Sequence, residues 1–213
     1  MIPPSPIRVV CFGDSLTAGF QSPTRENPQG RSTPYGEWVQ ARFGAAVHVV
    51  VSGICGEMTA EMLMRFRRDV LAEQPRYVVI LGGTNDLGWN GPVHEIMRNL
   101  VKMYEQTLAA GATPVPVTVP SLRVEDVGES REAREWVGSH LTRRQELNAS
   151  ILAYAATKQL TAVDLFSATA DAESRLLARE YSNDGVHLTT EGYRRFAELV
   201  CAQVLAPVLA SES

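Results

Sequence analysis

Short apolar runs followed by turn residues recur along the chain and predict its strands. These runs lie at residues 9–12, 47–51, 77–81, 113–119 and 161–165. The first three are rich in β-branched residues and end in a turn that contains glycine, which is typical of strands buried on both faces of a sheet. In the fourth run, Pro114 and Pro116 favour an edge position or a strand start.

Segments with apolar residues spaced by threes and fours lie between these runs and predict helices. The predicted helices cover 34–43, 59–71, 93–110 and 142–159, and a last helix carries an apolar stripe from Tyr193 to Val208. Thr33 is the expected cap of the first helix, and Thr142 with Gln145 forms an expected capping box for the fourth. Weaker patterns predict short helices near residue 132 and over 173–180.

Strand and helix therefore alternate along the chain. Long crossovers between buried strands indicate a parallel sheet of five strands with helices on its faces. Neither an internal repeat nor a linker interrupts this pattern, so residues 1–213 are expected to form one α/β domain. Residues 20–33 are polar and rich in proline, and we expect a loop there.

Composition narrows the classes of partner. Hydrophobic residues make up 45% of the 213-residue chain, and the net charge of −4 offers no basic face for nucleic acid or an anionic membrane. No apolar run approaches the roughly 18 residues that span a bilayer, so stable membrane insertion is not expected. The chain is expected to be cytoplasmic, with a secreted form trimmed of its signal peptide as the alternative. No prediction of the oligomeric state follows from the sequence.

Two further groups of residues receive a structural interpretation. The three cysteines are far apart and imply no disulfide framework. Arg65, Arg67 and Arg68 are interpreted as a solvated face of the second predicted helix.

Candidate chemistry collects where the predicted strands end. The turns 13–15 (Gly-Asp-Ser), 52–53 (Ser-Gly) and 82–86 (Gly-Gly-Thr-Asn-Asp) each follow a strand. Parallel strands present their carboxyl ends at one edge of the sheet, so these turns are expected to lie side by side. Ser15 is either a helix cap or a nucleophile at this stage. Asp14 and Asp86 are expected to brace their own turns through backbone hydrogen bonds.

A histidine with a carboxylate at close spacing occurs near the end of the chain, in Asp184-Gly185-Val186-His187. A histidine activates a serine when a carboxylate holds it in the right tautomer and stabilises the imidazolium. Taken alone, the same segment also fits a plain turn with His187 as a bystander. No cluster has metal-ligand spacing and no nucleotide-binding motif occurs, so no metal and no cofactor are expected.

Together these four blocks, in this order, resemble those of the SGNH (GDSL-type) hydrolases, and they span residues 12–188. The resemblance implies a three-layer α/β/α sandwich of the flavodoxin-like type and hydrolysis of esters or thioesters. It further implies that Ser15 is the nucleophile, His187 its general base and Asp184 the group that orients His187. The implied oxyanion hole consists of the backbone N–H groups of Ser15 and Gly53 and the side-chain amide of Asn85.

The predicted function is therefore hydrolysis of small-molecule carboxylic esters or thioesters, with short acyl groups, through an acyl-enzyme. An acyltransferase and a carbohydrate O-acetylesterase are alternatives on the same site, and a catalytically silent binding module is the non-enzyme alternative. Phe20 and Trp89 are predicted to contact substrate, although Trp89 alternatively covers the helix that follows. The charged segment 121–137 is a further predicted pocket wall.

Overall fold

A computed structural model describes residues 5–124 and 131–211. The strands are β1 (Ile7–Gly13), β2 (Phe20–Gln21), β3 (Arg31–Ser32), β4 (Val47–Gly53), β5 (Tyr77–Leu81) and β6 (Thr113–Pro116). The helices are α1 (Ser15–Ala18), α2 (Tyr35–Phe43), α3 (Thr59–Asp69), α4 (Thr84–Gly88), α5 (Val93–Ala109), α6 (Arg131–Thr157), α7 (Leu165–Thr169), α8 (Thr190–Val200) and α9 (Ala206–Ser211). Short 3-10 turns cover Gly44–Ala46, Leu71–Glu73 and Arg179–Tyr181, and a π-helical turn covers Cys201–Leu205.

The central sheet confirms the α/β prediction, with four parallel strands in the order β4-β1-β5-β6. In its register Gly13 pairs with both Gly53 and Leu81, so β1, β4 and β5 end at the same level. The turns that follow these three strands therefore leave the sheet side by side. In the predicted loop 20–33, β2 and β3 form a small antiparallel pair.

The predicted fifth strand at 161–165 is wrong, because the segment makes only one bridge, between Val163 and Val117. Along β6 the N–H groups alternate in direction, and those of Thr113 and Val117 donate to the β5 side. On the other side Pro114 and Pro116 have no N–H, so little of a ladder can form there. The chain then turns at once into α7, which is capped by Asp164.

Helices cover both faces of the sheet, because side chains along β1 alternate between two apolar clusters. Val9 and Cys11 join a cluster with residues of α2 and α8. Val10 and Phe12 join a second cluster with residues of α3, α5 and α6. The result is a three-layer α/β/α arrangement, as the sequence predicts.

Several helix boundaries differ from their predictions. Pro34, and not Thr33, caps α2, because the Thr33 hydroxyl accepts a hydrogen bond from Gln21 at 2.7 Å instead. The capping box at Thr142 is wrong: α6 passes through this position, where the Thr142 hydroxyl donates to the Gly138 carbonyl inside the helix. Met58 is the N-cap residue of α3, and its backbone N–H donates to the Glu61 side chain in the first turn. The helix ends at Asp69.

The remaining differences lie towards the C-terminus. Over 173–180 the structure has no α-helix, and only the 3-10 turn Arg179–Tyr181 begins there. The apolar stripe that starts at Tyr193 is divided among α8, the π-helical turn and α9. Of the predicted pocket wall 121–137, residues 125–130 lie outside the described residues. Among the helices that are described, none is both long and apolar enough to cross a bilayer.

Candidate active site

Ser15 stands at the end of the central strand β1, as the first residue of α1. Asp14 is the cap of this helix, because its side chain accepts the Leu16 N–H at 2.9 Å. The cap interpretation of Ser15 is therefore wrong, while the bracing role expected of Asp14 is confirmed. At the first helical position the Ser15 N–H has no partner inside the helix. The hydroxyl and the N–H of Ser15 therefore both lie at the carboxyl edge of the sheet.

His187 and Asp184 continue a chain of hydrogen bonds from Ser15. His187 Nε2 lies 3.2 Å from Ser15 Oγ, and His187 Nδ1 lies 2.7 Å from Asp184 Oδ2. A carboxylate at Nδ1 favours the tautomer with its proton there, which leaves Nε2 free to accept the serine proton. The three side chains come from opposite ends of the chain, and the fold brings them into direct contact.

Asp184 is held as an anion. Burial raises the pKa of this carboxyl, but hydrogen bonds from His187, Ser22 and the backbone outweigh that effect and hold the pKa well below its usual range. The backbone donors are the N–H groups of Val186 and His187, at 2.9 and 2.8 Å from Oδ1. The Ser22 hydroxyl donates to Oδ2 beside the histidine. Asp184 is therefore ionised throughout the neutral pH range.

The loop that carries Asp184 and His187 is fixed from below by residues that the sequence pattern did not single out. The Ser182 hydroxyl lies 2.7 Å from the His187 carbonyl and accepts the Gly185 N–H at 2.9 Å. The Arg123 guanidinium donates to the Ser182 carbonyl at 2.7 Å, and the Arg123 N–H donates to the Gly185 carbonyl at 2.8 Å. A Cβ at Gly185 would lie 1.6 Å from the Arg123 carbonyl oxygen, so only glycine fits.

Gly53 ends β4 directly beside the Ser15 turn. A Cβ on Gly53 would lie 2.2 Å from the Ala18 nitrogen and 2.8 Å from the Asp14 carbonyl oxygen, both of them backbone atoms. The absence of a side chain therefore lets the end of β4 approach α1 closely. This approach brings Gly53 next to the segment that carries Ser15, as the sequence predicts for neighbouring strand exits.

Asn85 lies in α4, after the third strand exit. Its side-chain amide donates one hydrogen to the Glu57 carbonyl at 2.9 Å, which orients the amide group and leaves a second N–H. Its neighbour Asp86 accepts the Thr59 N–H at 3.0 Å and the Thr59 hydroxyl at 2.6 Å. Asp86 thus anchors the start of α3 to the turn that carries Asn85. The sequence predicts a hydrogen bond from the Asp86 side chain to the backbone of its own turn, so this partner differs from the expected one.

Arg65 corrects the interpretation of the arginines on α3. Arg67 and Arg68 are exposed, but Arg65 is only 7% exposed and forms an ion pair with Glu57 at 2.6 Å. Its side chain turns inward because Glu57, Ser52 and Gly13 supply acceptors at the strand ends. The sequence shows the charges but not these partners.

The two residues predicted to contact substrate have different neighbours. The Phe20 ring packs edge-on against the His187 ring, with centroids 4.7 Å apart. Trp89 follows α4 and is 80% exposed, so it covers little of α5. With Met58 and Pro92 it lines a hollow of about 230 Å³ beside Asp86. Within 5–124 and 131–211, no group of three or more histidine, cysteine or acidic residues is arranged to hold a metal ion.

Comparisons with known proteins agree with this geometry. Residues 11–195 match the model of the GDSL-like Lipase/Acylhydrolase family. A GDSL-like lipase from Bacteroides thetaiotaomicron is 28% identical, with a TM-score of 0.71 over 91% of this chain and 85% of that one. The lipase/acylhydrolase of Enterococcus faecalis is 26% identical, with a TM-score of 0.71 over 91% and 93% of the two chains.

A curated relative matches a shorter region. The uncharacterized lipoprotein YqeF of Bacillus subtilis is 32% identical over an alignment of 119 residues. The alignment covers 52% of this chain. The match spans about half of that relative, 47% of its length. Because the family model covers most of the chain, and solved structures of the same kind share its fold, this protein belongs to the GDSL-like lipase/acylhydrolase family.

Proposed function

We propose that the protein hydrolyses carboxylic esters or thioesters with short acyl groups, using Ser15 as its nucleophile. The observation that carries this proposal is the hydrogen-bonded chain from Ser15 through His187 to Asp184. A serine hydroxyl is a weak nucleophile by itself, and a histidine held by an anionic carboxylate is the partner that activates it.

In the first step Ser15 Oγ attacks the substrate carbonyl carbon while His187 Nε2 takes the hydroxyl proton. The C–O π electrons move to the carbonyl oxygen and form a tetrahedral oxyanion. When this intermediate collapses, the bond to the leaving alcohol or thiol breaks and His187 returns its proton to that group. The product is an acyl-Ser15 ester, and Asp184 stabilises the imidazolium that forms between the two proton transfers.

The oxyanion is held by three donors in this proposal: the N–H of Ser15, the N–H of Gly53 and the free amide N–H of Asn85. All three are neutral donors on rigid elements around the serine turn, so they require little reorganisation when charge develops. Removal of one such donor typically lowers turnover by about 10²–10³-fold.

The second step repeats the first with water as the nucleophile. Once the leaving group departs, water occupies its place next to His187, which removes a water proton as the oxygen attacks the acyl carbon. The second tetrahedral intermediate collapses to a carboxylic acid, and the proton on His187 returns to Ser15 Oγ. Water is the sole co-substrate of this cycle.

The size of the hollow that Asp86 and Trp89 line, which follow Asn85 in the chain, supports the proposal of short acyl groups. The apolar hollow beside Trp89 and Met58 has a volume of about 230 Å³, which suits a small acyl chain better than a long one. Phe20 packs against the His187 ring, and we infer that it limits the room around the leaving group.

A carbohydrate O-acetyl ester is a second candidate substrate, and one observation favours it. A polar hollow of about 290 Å³ lies next to the Asp184 loop and is lined by Gln21, Ser22, Asn27, Arg31 and Asn183 among others. Hydroxyl-rich leaving groups find hydrogen-bond partners in such a surface, whereas simple alkyl alcohols do not.

Substitution of the serine tests the proposed reaction directly. Ser15→Ala is expected to lower hydrolysis of p-nitrophenyl acetate by at least about 10³-fold and to abolish labelling by a fluorophosphonate probe. Ser150→Ala, which removes a half-buried serine hydroxyl that donates to the Glu146 carbonyl within α6, serves as the matched control and is expected to keep full activity. If Ser15→Ala keeps half of the wild-type rate, the proposed nucleophile is wrong.

A series of p-nitrophenyl esters tests the proposed acyl length. We expect kcat/KM to be highest for acetate or butyrate esters and to fall for longer chains. A sharp preference for long chains would contradict the short-acyl proposal and leave the nucleophile assignment intact. Comparison of acetylated sugars with p-nitrophenyl acetate, by released acetate, tests the second candidate.

A further inference from the structure

One buried guanidinium, that of Arg65, connects the three segments that carry the proposed oxyanion donors. Arg65 projects from α3 beneath the carboxyl end of the sheet, and its charge lies over the Phe12 ring at 4.2 Å from the centroid. Each of its three nitrogens donates at least one hydrogen bond. The side chain is buried, and its hydrogen bonds go to Gly13, Ser52, Glu57 and Asp69. We therefore expect any effect on the reaction to pass through these partners.

Two of these partners lie just before the proposed donors in the chain: Ser52 precedes Gly53, and Gly13 lies two residues before Ser15. Arg65 Nη2 donates to the Gly13 carbonyl at 3.0 Å and lies 3.3 Å from the Ser52 carbonyl. Arg65 Nη1 donates to the Ser52 hydroxyl at 2.6 Å. Gly13 also accepts the Ile54 N–H at 3.1 Å, so the ends of β1 and β4 are joined both by the sheet and by the guanidinium.

The third partner leads to the side chain of Asn85. Arg65 Nε donates to both carboxylate oxygens of Glu57, at 2.7 and 2.8 Å, and Nη2 donates to one of them at 2.6 Å. The backbone carbonyl of the same Glu57 accepts the amide hydrogen of Asn85 at 2.9 Å. The position of the Asn85 amide therefore depends on where the ion pair holds residue 57.

We propose that Arg65 is a positioning residue that holds the N–H groups of Ser15 and Gly53 and the amide of Asn85 in one geometry suited to an oxyanion. This inference rests on the proposed function, because it assigns those three donors to the oxyanion hole. It adds a residue outside the four motif blocks and explains why a charged side chain is buried beneath them.

The chemistry of the guanidinium suits this task. Its planar fork presents fixed donors in several directions, whereas a lysine ammonium is a single point charge on a flexible stem. Burial of an ion pair is a poor way to gain stability, since well-packed apolar residues often serve as well or better. A buried Arg65–Glu57 pair at this position is therefore explained better by the geometry that it imposes than by stability.

Two test variants and two controls separate positioning from general stability. Arg65→Lys keeps the charge and removes the fork. Arg65→Met leaves the Glu57 charge buried without a partner and is liable to unfold, so the double variant Arg65→Met/Glu57→Gln removes both charges together. Met103→Ala is the stability control, because Met103 lies on α5 and is fully buried in the second apolar cluster. Arg68→Met is the charge control, because that side chain is 76% exposed on the same helix.

Each variant is assayed with p-nitrophenyl acetate and with phenylboronic acid, which forms a tetrahedral anionic adduct on an active serine. In the double variant kcat is expected to fall about 100-fold, the cost of one lost or misplaced oxyanion donor, with KM within about threefold of wild type. The inhibition constant for the boronic acid is expected to rise by a similar factor. Arg65→Lys is expected to lose about tenfold in kcat, while both controls stay within about threefold of wild type.

The proposal is overturned if the double variant loses no more kcat than Met103→Ala at the same thermal midpoint. It is equally overturned if kcat falls while the boronic acid binds as well as before, because the donors would then be intact. A parallel loss of kcat and of boronic acid affinity, with KM nearly constant, supports it.

A spectroscopic readout keeps this inference distinct from the proposed function. In ¹⁵N-labelled protein, the signals of the Gly53 backbone amide and the Asn85 side-chain amide are expected to shift in the double variant and to stay in place in Arg68→Met. If neither signal moves, Arg65 does not position these groups, whatever the turnover. Inactivity of the wild-type protein towards every ester, or full activity of Ser15→Ala, counts against the proposed function instead.

Discussion

Asp184→Asn is the substitution that tests the proposed triad most sharply, because it changes one atom and leaves the loop otherwise supported. In the structure Oδ1 accepts two backbone N–H groups, and Oδ2 faces His187 Nδ1 at 2.7 Å. An asparagine keeps the backbone bonds only when its oxygen takes the place of Oδ1. Its NH₂ group then faces Nδ1 and turns that ring nitrogen into an acceptor. The proton moves to Nε2, which can no longer take the proton of Ser15.

The structure also sets the size of the effect. To restore the reactive tautomer, the amide of the introduced asparagine must flip. Its NH₂ group then faces the backbone N–H groups of residues 186 and 187, and both hydrogen bonds to these groups are lost. Each of the two backbone donors that faces an N–H group in place of its acceptor costs about 1–3 kcal/mol. The total for both donors is on the order of 2–6 kcal/mol, which corresponds to a decrease of about 30-fold to 10⁴-fold in kcat/KM. The higher value is the one known for a wrong tautomer in a serine protease triad.

The assay is hydrolysis of p-nitrophenyl acetate at neutral pH, with the thermal midpoint measured on the same samples. The midpoint of Asp184→Asn is expected to change little, because the bonds to the backbone remain. Ser22→Ala is the matched control, since it removes only the hydroxyl that donates to the same carboxylate oxygen, and its loss is expected to stay within about fivefold. A folded Asp184→Asn protein with more than a tenth of wild-type kcat/KM would show that Asp184 does not orient His187.

Three further predictions address the turn, the strand exit and the substrate surface. Burial raises the pKa of the Asp14 carboxyl to about 7, so the native state binds this proton more tightly than the unfolded chain, and the contribution present at low pH is lost as the pH rises towards 7. Asp14→Asn is thus expected to raise the free energy of unfolding more at about pH 8 than at about pH 5, measured in urea, and equal changes at both values would contradict this. Gly53→Ala forces a Cβ against backbone atoms of α1 and is expected to lower kcat/KM by about 100-fold and to lower the thermal midpoint. Its control Gly138→Ala, where nothing lies within 4 Å, is expected to keep activity and to gain up to about 1 kcal/mol in stability. Trp89→Ala is expected to leave the thermal midpoint unchanged, because the side chain is 80% exposed, and to lower kcat/KM more for a butyrate than for an acetate ester; equal losses would remove Trp89 from the acyl site.

Much of the fold could be predicted because its signals are local. A strand buried on both faces must be apolar along its whole length, so the runs that became β1, β4 and β5 are visible in the sequence. Parallel strands have their exits at one edge of the sheet, so the pattern alone predicts that the segments of Ser15 and Gly53 lie together. The predicted boundaries that are wrong lie where two local signals favour different structures. At 161–165 an apolar run favours a strand, but Asp164 caps α7 and the two prolines of β6 leave few N–H groups for a ladder.

The sequence by itself determined which residues we propose as the carriers of the chemistry and in what order they occur. Ser15 and His187 are 172 positions apart, yet their blocks are recognisable because each requires particular residue types in a short segment. Only the tertiary structure decided how those residues are supported. Arg65 has the same local pattern as its exposed neighbours on α3, and its burial depends on Gly13, Ser52 and Glu57, which other segments bring to it. A long charged side chain takes the environment that its partners offer, and partners from distant segments leave no periodic pattern in the sequence.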